Sequence, residues 1–444
     1  MHSMRAGASR VKITPPAGVD LCGFGFREGP STGVHDDLWC AALVLDDGST
    51  KVAIIALDLL ELDYEVDAAC REAVSRETGL EPDSVLLNCS HTHSGPSTCI
   101  LDALGAKDEE YVRRLPGLVA EAVAKAVDGL VPATARYGEA PLGIGVDRRQ
   151  LAADGSVQFG KNRKGVRDDR MRVVEIRCDG RTGAILFHHA CHGTVLGGDN
   201  LLISGDWAGA AARAVGEIYP RATPLFLQGC GGQINPDQDA GTFEEVERIG
   251  KLAAEAVERA LADTREFDAA PLGFDLVRLA LPVQDPPDAA AAEADVREAE
   301  AELSKAVQND KHAYTLRTLR TLIERRSERL AWARGERRCE GVPFVVQGLR
   351  MGELGIMGLS GEVFYEFGQA IVERSPFPWT LALGYSNGCA CYVPTRKAIE
   401  QGGYETDQSF CWYGVPPISP EAGAEIVEAA VGLLQNLKRA HGES

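Results

Sequence analysis

Three apolar runs in this chain each stop at a polar loop rich in histidine or glycine, and no other feature narrows the fold as much. Val85 to Leu87 leads into Asn88-Cys89-Ser90-His91-Thr92-His93-Ser94-Gly95-Pro96, and Ala184 to Phe187 leads into His188-His189-Ala190-Cys191-His192-Gly193. Pro224 to Leu227 then leads into Gln228-Gly229-Cys230-Gly231-Gly232-Gln233-Ile234-Asn235-Pro236. Short apolar runs bounded by such signals read as buried strands, and α/β folds place their chemistry on the loops at strand ends. Three loops of one kind imply one shared cleft. Val52 to Leu57 reads as a further buried strand, and Glu65 to Arg76 as a helix closed by Gly79. The expected fold class is therefore α/β, with mixed β-sheets layered with helices and the active-site loops at strand ends.

Residues 285–338 interrupt this alternation. Their composition turns to Ala, Glu, Arg and Leu, with no glycine before Gly335, and Gln308-Asn309-Asp310 splits the stretch into two helical halves. It reads as a helical hairpin inserted in a single catalytic domain spanning 1–444. Its role is open between a lid, a surface through which copies of the chain associate as a homo-oligomer, and a solvated decoration. Strands resume at Phe344 to Val346, Leu354 to Met357 and Thr380 to Leu383.

Composition sets limits on partners. With 65 acidic against 46 basic residues and a formal net charge of -19, the surface repels a phosphate backbone, so nucleic acid is excluded as the expected partner. The opening residues hold no apolar signal region, and no later stretch reaches the roughly 20 apolar residues of a spanning helix. The expectation is a cytoplasmic, soluble protein without a membrane partner. Twelve cysteines without a CxxC pair read as reduced, buried thiols that hold no metal.

Six of the nine histidines, His35, His91, His93, His188, His189 and His192, sit in loop or strand-end contexts, and His2, His312 and His441 do not. His91-Thr92-His93 places two imidazoles on one side of an extended segment, which suits a metal, although many such pairs are incidental. The second cluster is equally ambiguous, because a histidine after a strand is more often a hydrogen-bonded structural residue.

The string Ser90 to Pro96 resembles the HTHSGP loop of the neutral ceramidases, the neutral/alkaline non-lysosomal family. That resemblance implies zinc binding by His91, the loop's first histidine. It points to His192 as the second histidine ligand, because His192 lies the family's distance before Ser204-Gly205-Asp206. Glu362, in Leu359-Ser360-Gly361-Glu362, matches the family's ligand glutamate, and Tyr392, in Cys391-Tyr392-Val393-Pro394-Thr395, its ligand tyrosine. Tyr404 matches a second family tyrosine, and Arg148, beside Arg149, resembles an arginine near the substrate. The islands run from Arg10-Val11-Lys12-Ile13-Thr14-Pro15 to about Tyr413. They imply the catalytic domain of a truncated, bacterial-type member without the family's C-terminal immunoglobulin-like domain.

Two imidazoles, a carboxylate and a phenol are acceptable donors for one zinc ion per chain, and such an ion acidifies water. His93 is then placed to serve as general acid or base, or to brace its loop. Tyr404 reads as an oxyanion donor. Asp58 and Asp206 read as carboxylates orienting the ligand histidines, with an N-cap as the alternative for Asp206, and His35-Asp36 as lining of the cleft.

The pattern departs from the family at one point. Asn235 occupies the place of the family's active-site serine, and an amide is no covalent nucleophile, although it can donate a hydrogen bond or position water. The expected activity is zinc-dependent hydrolysis of a linear, non-peptide C–N amide in a small or N-acylated substrate, more polar than ceramide. The alternatives are an ester or lactone hydrolase, a carbonyl-polarising lyase or isomerase, and a non-catalytic metal-dependent binding protein.

Overall fold

The structure, a computed structural model, describes residues 4–440, so His2 and His441 lie outside it. Strand Trp39–Asp46 shows how the layers arise. Cys40, Ala42 and Val44 face helices Tyr64–Thr78 and Glu109–Asp128, packing with Cys70, Val74, Leu115 and Val119. The alternate residues Ala41, Leu43 and Leu45 face the other way, onto Leu349, Ile356 and Leu381 of a second sheet. A strand covered on both faces needs a continuous apolar run, and this one has it. The result is helix, sheet, sheet, helix in section.

The larger sheet runs in the order Thr223–Gln228, Arg181–His189, Arg170–Cys178, Val131–Pro141, Arg5–Lys12, Trp39–Asp46, Lys51–Leu57, Val85–Cys89, with Arg265–Phe267 added beside Val131–Pro141. Its interior pairs are antiparallel, and its two outermost pairs are parallel. The second sheet holds Leu272–Leu281, Val342–Met351, Leu354–Leu359 and Trp379–Leu383, and is covered by helices Tyr365–Arg374 and Ala422–Arg439. Helices Asp206–Ile218 and Phe243–Ala262 pack over Arg181–His189. No helix among the described residues is long and apolar enough to cross a membrane.

The hairpin forms as helices Ala289–Gln308 and Ala313–Ala333, started by the side chains of Asp288 and His312. It folds back over the body. Tyr314 and Arg317 both bind Asp20, at 2.9 and 2.6 Å, and the Thr318 hydroxyl donates to the Ala103 carbonyl at 3.0 Å.

Three local expectations differ from the structure, and one concerns Asn235, which lies not in a loop but in strand Ile234–Pro236, paired with Val146 of strand Gly145–Leu151. His188 and His189 belong to strand Arg181–His189, where pairing to Thr223–Gln228 continues through both, so they are not loop residues. Helix Asp206–Ile218 has Gly205 as its N-cap without a side-chain cap bond; the Asp206 carboxylate instead accepts from the backbone N–H groups of Val195, Leu196 and Trp207. All twelve cysteines are free thiols.

Candidate metal centre

The three polar loops meet because the large sheet curls until its edge strands face each other. Asn88, at the end of one edge strand, accepts from the Gln228 N–H at 2.7 Å and donates to the Gln228 and Gly384 carbonyls. The Gln228 side chain donates to the Ser90 and Cys191 carbonyls at 3.0 and 2.6 Å. These buried amides use their hydrogen-bonding capacity to tie three strand ends together, and leaving any of it unpaired would be costly. The loops then touch directly. The His93 N–H donates to the Gly193 carbonyl at 3.1 Å, and a Cβ on Gly193 would lie 2.7 Å from the His91 carbonyl oxygen.

His91 itself sits at φ 62°, a left-handed conformation that non-glycine residues seldom adopt and that clusters at functional sites. Its backbone N–H donates to Leu59 at 2.9 Å. The His91 Nδ1 is 3.0 Å from the Leu60 carbonyl, and the His192 Nδ1 is 2.9 and 3.1 Å from the carbonyls of Gly231 and Ile234. Because a carbonyl only accepts, each ring carries its proton on Nδ1 and turns a bare Nε2 lone pair inward. Backbone carbonyls therefore do the orienting that Asp58 and Asp206 were expected to do. Asp58 accepts instead from the Trp39 N–H.

Those two Nε2 atoms lie 3.3 and 3.2 Å from one oxygen, Glu362 Oε2. His93 Nε2 lies 3.2 Å from His91 Nε2. Donor atoms around tetrahedral zinc, bonded at about 2.0–2.1 Å, are separated by about 3.3 Å, so these separations fit the ion. The Nε2 lone pairs and the carboxylate oxygen are acceptors that call for a shared positive charge; the Arg148 guanidinium reaches His192 Nε2, and a metal cation would serve all three. Burial, and then the charge of Arg148, holds the His192 imidazole down to about 4, so it is neutral near pH 7. Burial and the adjacent imidazoles push His93 well below its usual value.

Arg148 joins the remaining expected residues to this cluster. Its guanidinium donates to Glu405 at 2.7 Å, His192 Nε2 at 3.1 Å, the Tyr392 hydroxyl at 3.0 Å and the Asn235 side-chain oxygen at 3.3 Å. Arg149 turns the other way, to Glu405 and the carbonyls of Ala398 and Gly402. Tyr404 opens a π-helical turn, Tyr404–Gln408, with its ring edge-on to Tyr392 at 5.8 Å. The structure thus gathers His91, His93, His192 and Glu362 at one point, with Tyr392, Asn235 and Tyr404 around Arg148 beside it.

Several residues of the site escaped sequence reasoning. The Tyr413 hydroxyl lies 2.7 Å from Glu362 Oε1 and 3.0 Å from Glu61 Oε2, and the Tyr385 hydroxyl lies 3.3 Å from Glu362 Oε2. Tyr385 follows strand Trp379–Leu383 in Gly384-Tyr385-Ser386-Asn387, a fourth strand-end loop with the same syntax as the other three. Glu61 is flanked by leucines in Leu59-Leu60-Glu61-Leu62, and Glu405 is the salt-bridge partner of both arginines. The Arg27 guanidinium donates to the His93 carbonyl at 3.0 Å.

Other expected residues lie elsewhere. His188 and His189 bind the Ala382 and Arg170 carbonyls in the sheet. His35 pairs with Asp36 at 2.9 Å and stacks on Phe243, lining with Asp58 a separate groove of about 640 Å³.

The chain is similar to known proteins in sequence and in fold. The family described as neutral/alkaline non-lysosomal ceramidase, N-terminal, matches residues 4–223. A neutral ceramidase of Mycobacterium tuberculosis (strain ATCC 25618 / H37Rv) is 27% identical over 275 residues, a match covering 57% of this chain and 41% of that protein. The match therefore spans less than half of the relative's length. The crystal structure of neutral ceramidase from Pseudomonas aeruginosa superposes with a TM-score of 0.76 at 18% identity, covering 99% of this chain and 75% of that one. A ceramidase complexed with C2 gives 0.77 at 17% identity, covering 99% and 76%. At such identities the likeness to the solved structures is one of fold.

Proposed function

Starting from a chain that resembles the neutral/alkaline non-lysosomal ceramidases in sequence over residues 4–223 and in fold over nearly its whole length, we propose that it is a zinc-dependent hydrolase of a linear, non-peptide amide. The substrate is a small or N-acylated amine, and the chain acts as one catalytic domain of residues 1–444 with the hairpin inserted in it. One zinc ion is held by His91, His192, Glu362 and Tyr392. The observation that carries this reading is the pair of inward Nε2 lone pairs 3.3 and 3.2 Å from Glu362 Oε2, a donor set of the right chemistry and spacing for zinc.

A zinc ion bound there supplies a Lewis acid that polarises a carbonyl and acidifies water. The protein's own groups do the rest. His93, neutral because it is buried among other imidazoles, has the capacity to take a proton from water and return it to the leaving amine. Arg148 stays cationic beside Glu405, and by donating to the Asn235 oxygen it leaves the Asn235 N–H₂ as that side chain's free end. A free amide N–H suits a developing oxyanion, as does the phenol of Tyr404, which burial keeps protonated. The Arg148 bond to the Tyr392 oxygen fixes the orientation of that phenol as a neutral donor.

Turnover of an N-acyl amine in oxygen-18 water tests the reading. Hydrolysis places one labelled oxygen in the carboxylate product, and the activity disappears on chelation and returns with zinc. Product without label assigns the site to lyase or isomerase chemistry, and zinc binding without any turnover makes the protein a metal-dependent binder.

A further inference from the structure

In a chain whose formal net charge is -19, residues 313–340 carry eight arginines against four glutamates. Four of those arginines, Arg325, Arg329, Arg337 and Arg338, line a cavity of about 160 Å³ between the hairpin and residues 410–417, with Glu328 the single acid among the lining residues. The lining also includes apolar residues, Trp332, Val342, Phe410 and Val415 among them.

Two of these guanidinium groups, those of Arg325 and Arg329, keep buried donors unused, while Arg337 and Arg338 reach solvent. Arg325 and Arg337 share Glu328 at 3.4 and 3.3 Å, long for charge-assisted bonds. Arg329 binds Asp295 at 2.8 Å while its guanidinium lies over the Phe410 ring. Arg338 has no hydrogen bond or ion pair among the described residues. The Nε–H groups of Arg325 and Arg329 are buried and have no acceptor. Four cations lining one cavity, two of them with buried, unused donors, call for an anion, and the planar guanidinium fork matches the oxygens of a carboxylate or phosphate. A cavity of about 150 Å³ holds one benzene ring, so this one has room for an oxyanion with a compact apolar body.

We propose that this cavity is a binding site for a small organic oxyanion, a carboxylate or phosphate carried on an apolar group. Charge is met by the arginines, and the apolar body lies against Trp332 and Phe410. The site is independent of the metal centre, although Gly414 of its wall directly follows Tyr413, whose hydroxyl binds Glu362.

Calorimetric titration of the full chain with benzoate, phenyl phosphate, inorganic phosphate and benzyl alcohol tests the proposal. At least one aromatic anion is expected to bind with Kd at or below about 1 mM, with inorganic phosphate and benzyl alcohol at least about tenfold weaker. The two aromatic anions distinguish carboxylate from phosphate. Arg337 is exposed and Arg338 unpaired, so R337Q/R338Q folds normally, and it is expected to lose about tenfold in affinity with an unchanged melting temperature. Capture of the anion at the metal centre would leave that double variant's affinity untouched. The proposal is overturned by absence of binding up to about 10 mM, by equal affinity for inorganic phosphate or benzyl alcohol, or by undiminished binding in the double variant.

Discussion

Replacing Tyr413 by phenylalanine removes one oxygen atom and unbalances two buried carboxyls. The hydroxyl is 2.7 Å from Glu362 Oε1 and 3.0 Å from Glu61 Oε2, and Glu61 Oε1 already lacks a partner. Without the phenol, Glu61 has no hydroxyl to bind, and Glu362 keeps only the Tyr385 hydroxyl, on its other oxygen. A hydrogen bond to a charged group contributes about 1.5–3 kcal/mol, so the metal-free variant is expected to lose about 2 kcal/mol in denaturant unfolding. The same bond fixes the rotation that turns Oε2 toward His91 and His192. Loss of such a supporting bond weakens metal affinity by about 10- to 100-fold, measurable by competition with a fluorescent zinc chelator. Tyr137→Phe, which removes a hydroxyl bound to Glu139 far from the cluster, is the control and should leave zinc affinity unchanged. If Tyr413→Phe unfolds within about 0.5 kcal/mol of the parent and binds zinc as tightly, the assignment of Glu362 as a braced ligand is refuted.

Three further perturbations read other parts of the site. Gly23 has φ 108° and a Cβ there would lie 2.3 Å from His93 Nδ1, so Gly23→Ala should displace His93 and lower kcat about 100-fold while zinc stays bound; unchanged kcat removes His93 from the chemistry. Burial, and then Glu362, raises the Glu61 carboxyl to about 7, so its protonated form stabilises the fold below its ordinary value near 4.5 and that contribution is lost as pH rises toward 7. Glu61→Gln removes the titration, and the variant's stability relative to the parent, both metal-free, should rise by about 3 kcal/mol between pH 4.5 and 8; a pH-independent difference contradicts it. Arg148→Gln removes the cation that, after burial, lowers His192, so the imidazole of the metal-free variant should titrate above about 4 by NMR, and no movement would show that burial alone sets it.

Much of this was legible before any coordinates, and the reason lies in the strand ends. A strand buried on both faces must be apolar throughout and must stop where polar residues begin, so the three polar segments are legible by position, whereas His91, His192 and Asn235 stand out within them only through the family resemblance. The long strands Val131–Pro141 and Arg170–Cys178 were not legible, because charged residues punctuate them, as at Arg136 and Glu139 or Arg172 and Glu175. Which groups orient the histidines was also hidden, since Leu60, Gly231 and Ile234 act through carbonyls that every residue possesses. Tyr413 and Glu61 meet across 352 residues of sequence, a proximity that only folding reveals. Arg148 could be told from Arg149 only once strand Gly145–Leu151 fixed which of the two faces His192.

Metal analysis combined with X-ray absorption at the zinc edge, on protein purified without chelator, reads the His91–His192–Glu362 centre itself. One zinc ion per chain is expected, in a shell of nitrogen and oxygen donors at about 2.0–2.2 Å that includes imidazole, with metal lost from His192→Ala and from Glu362→Ala. Protein that folds and turns over its substrate without metal, or that keeps its zinc in both variants, would contradict the assignment of zinc to this centre.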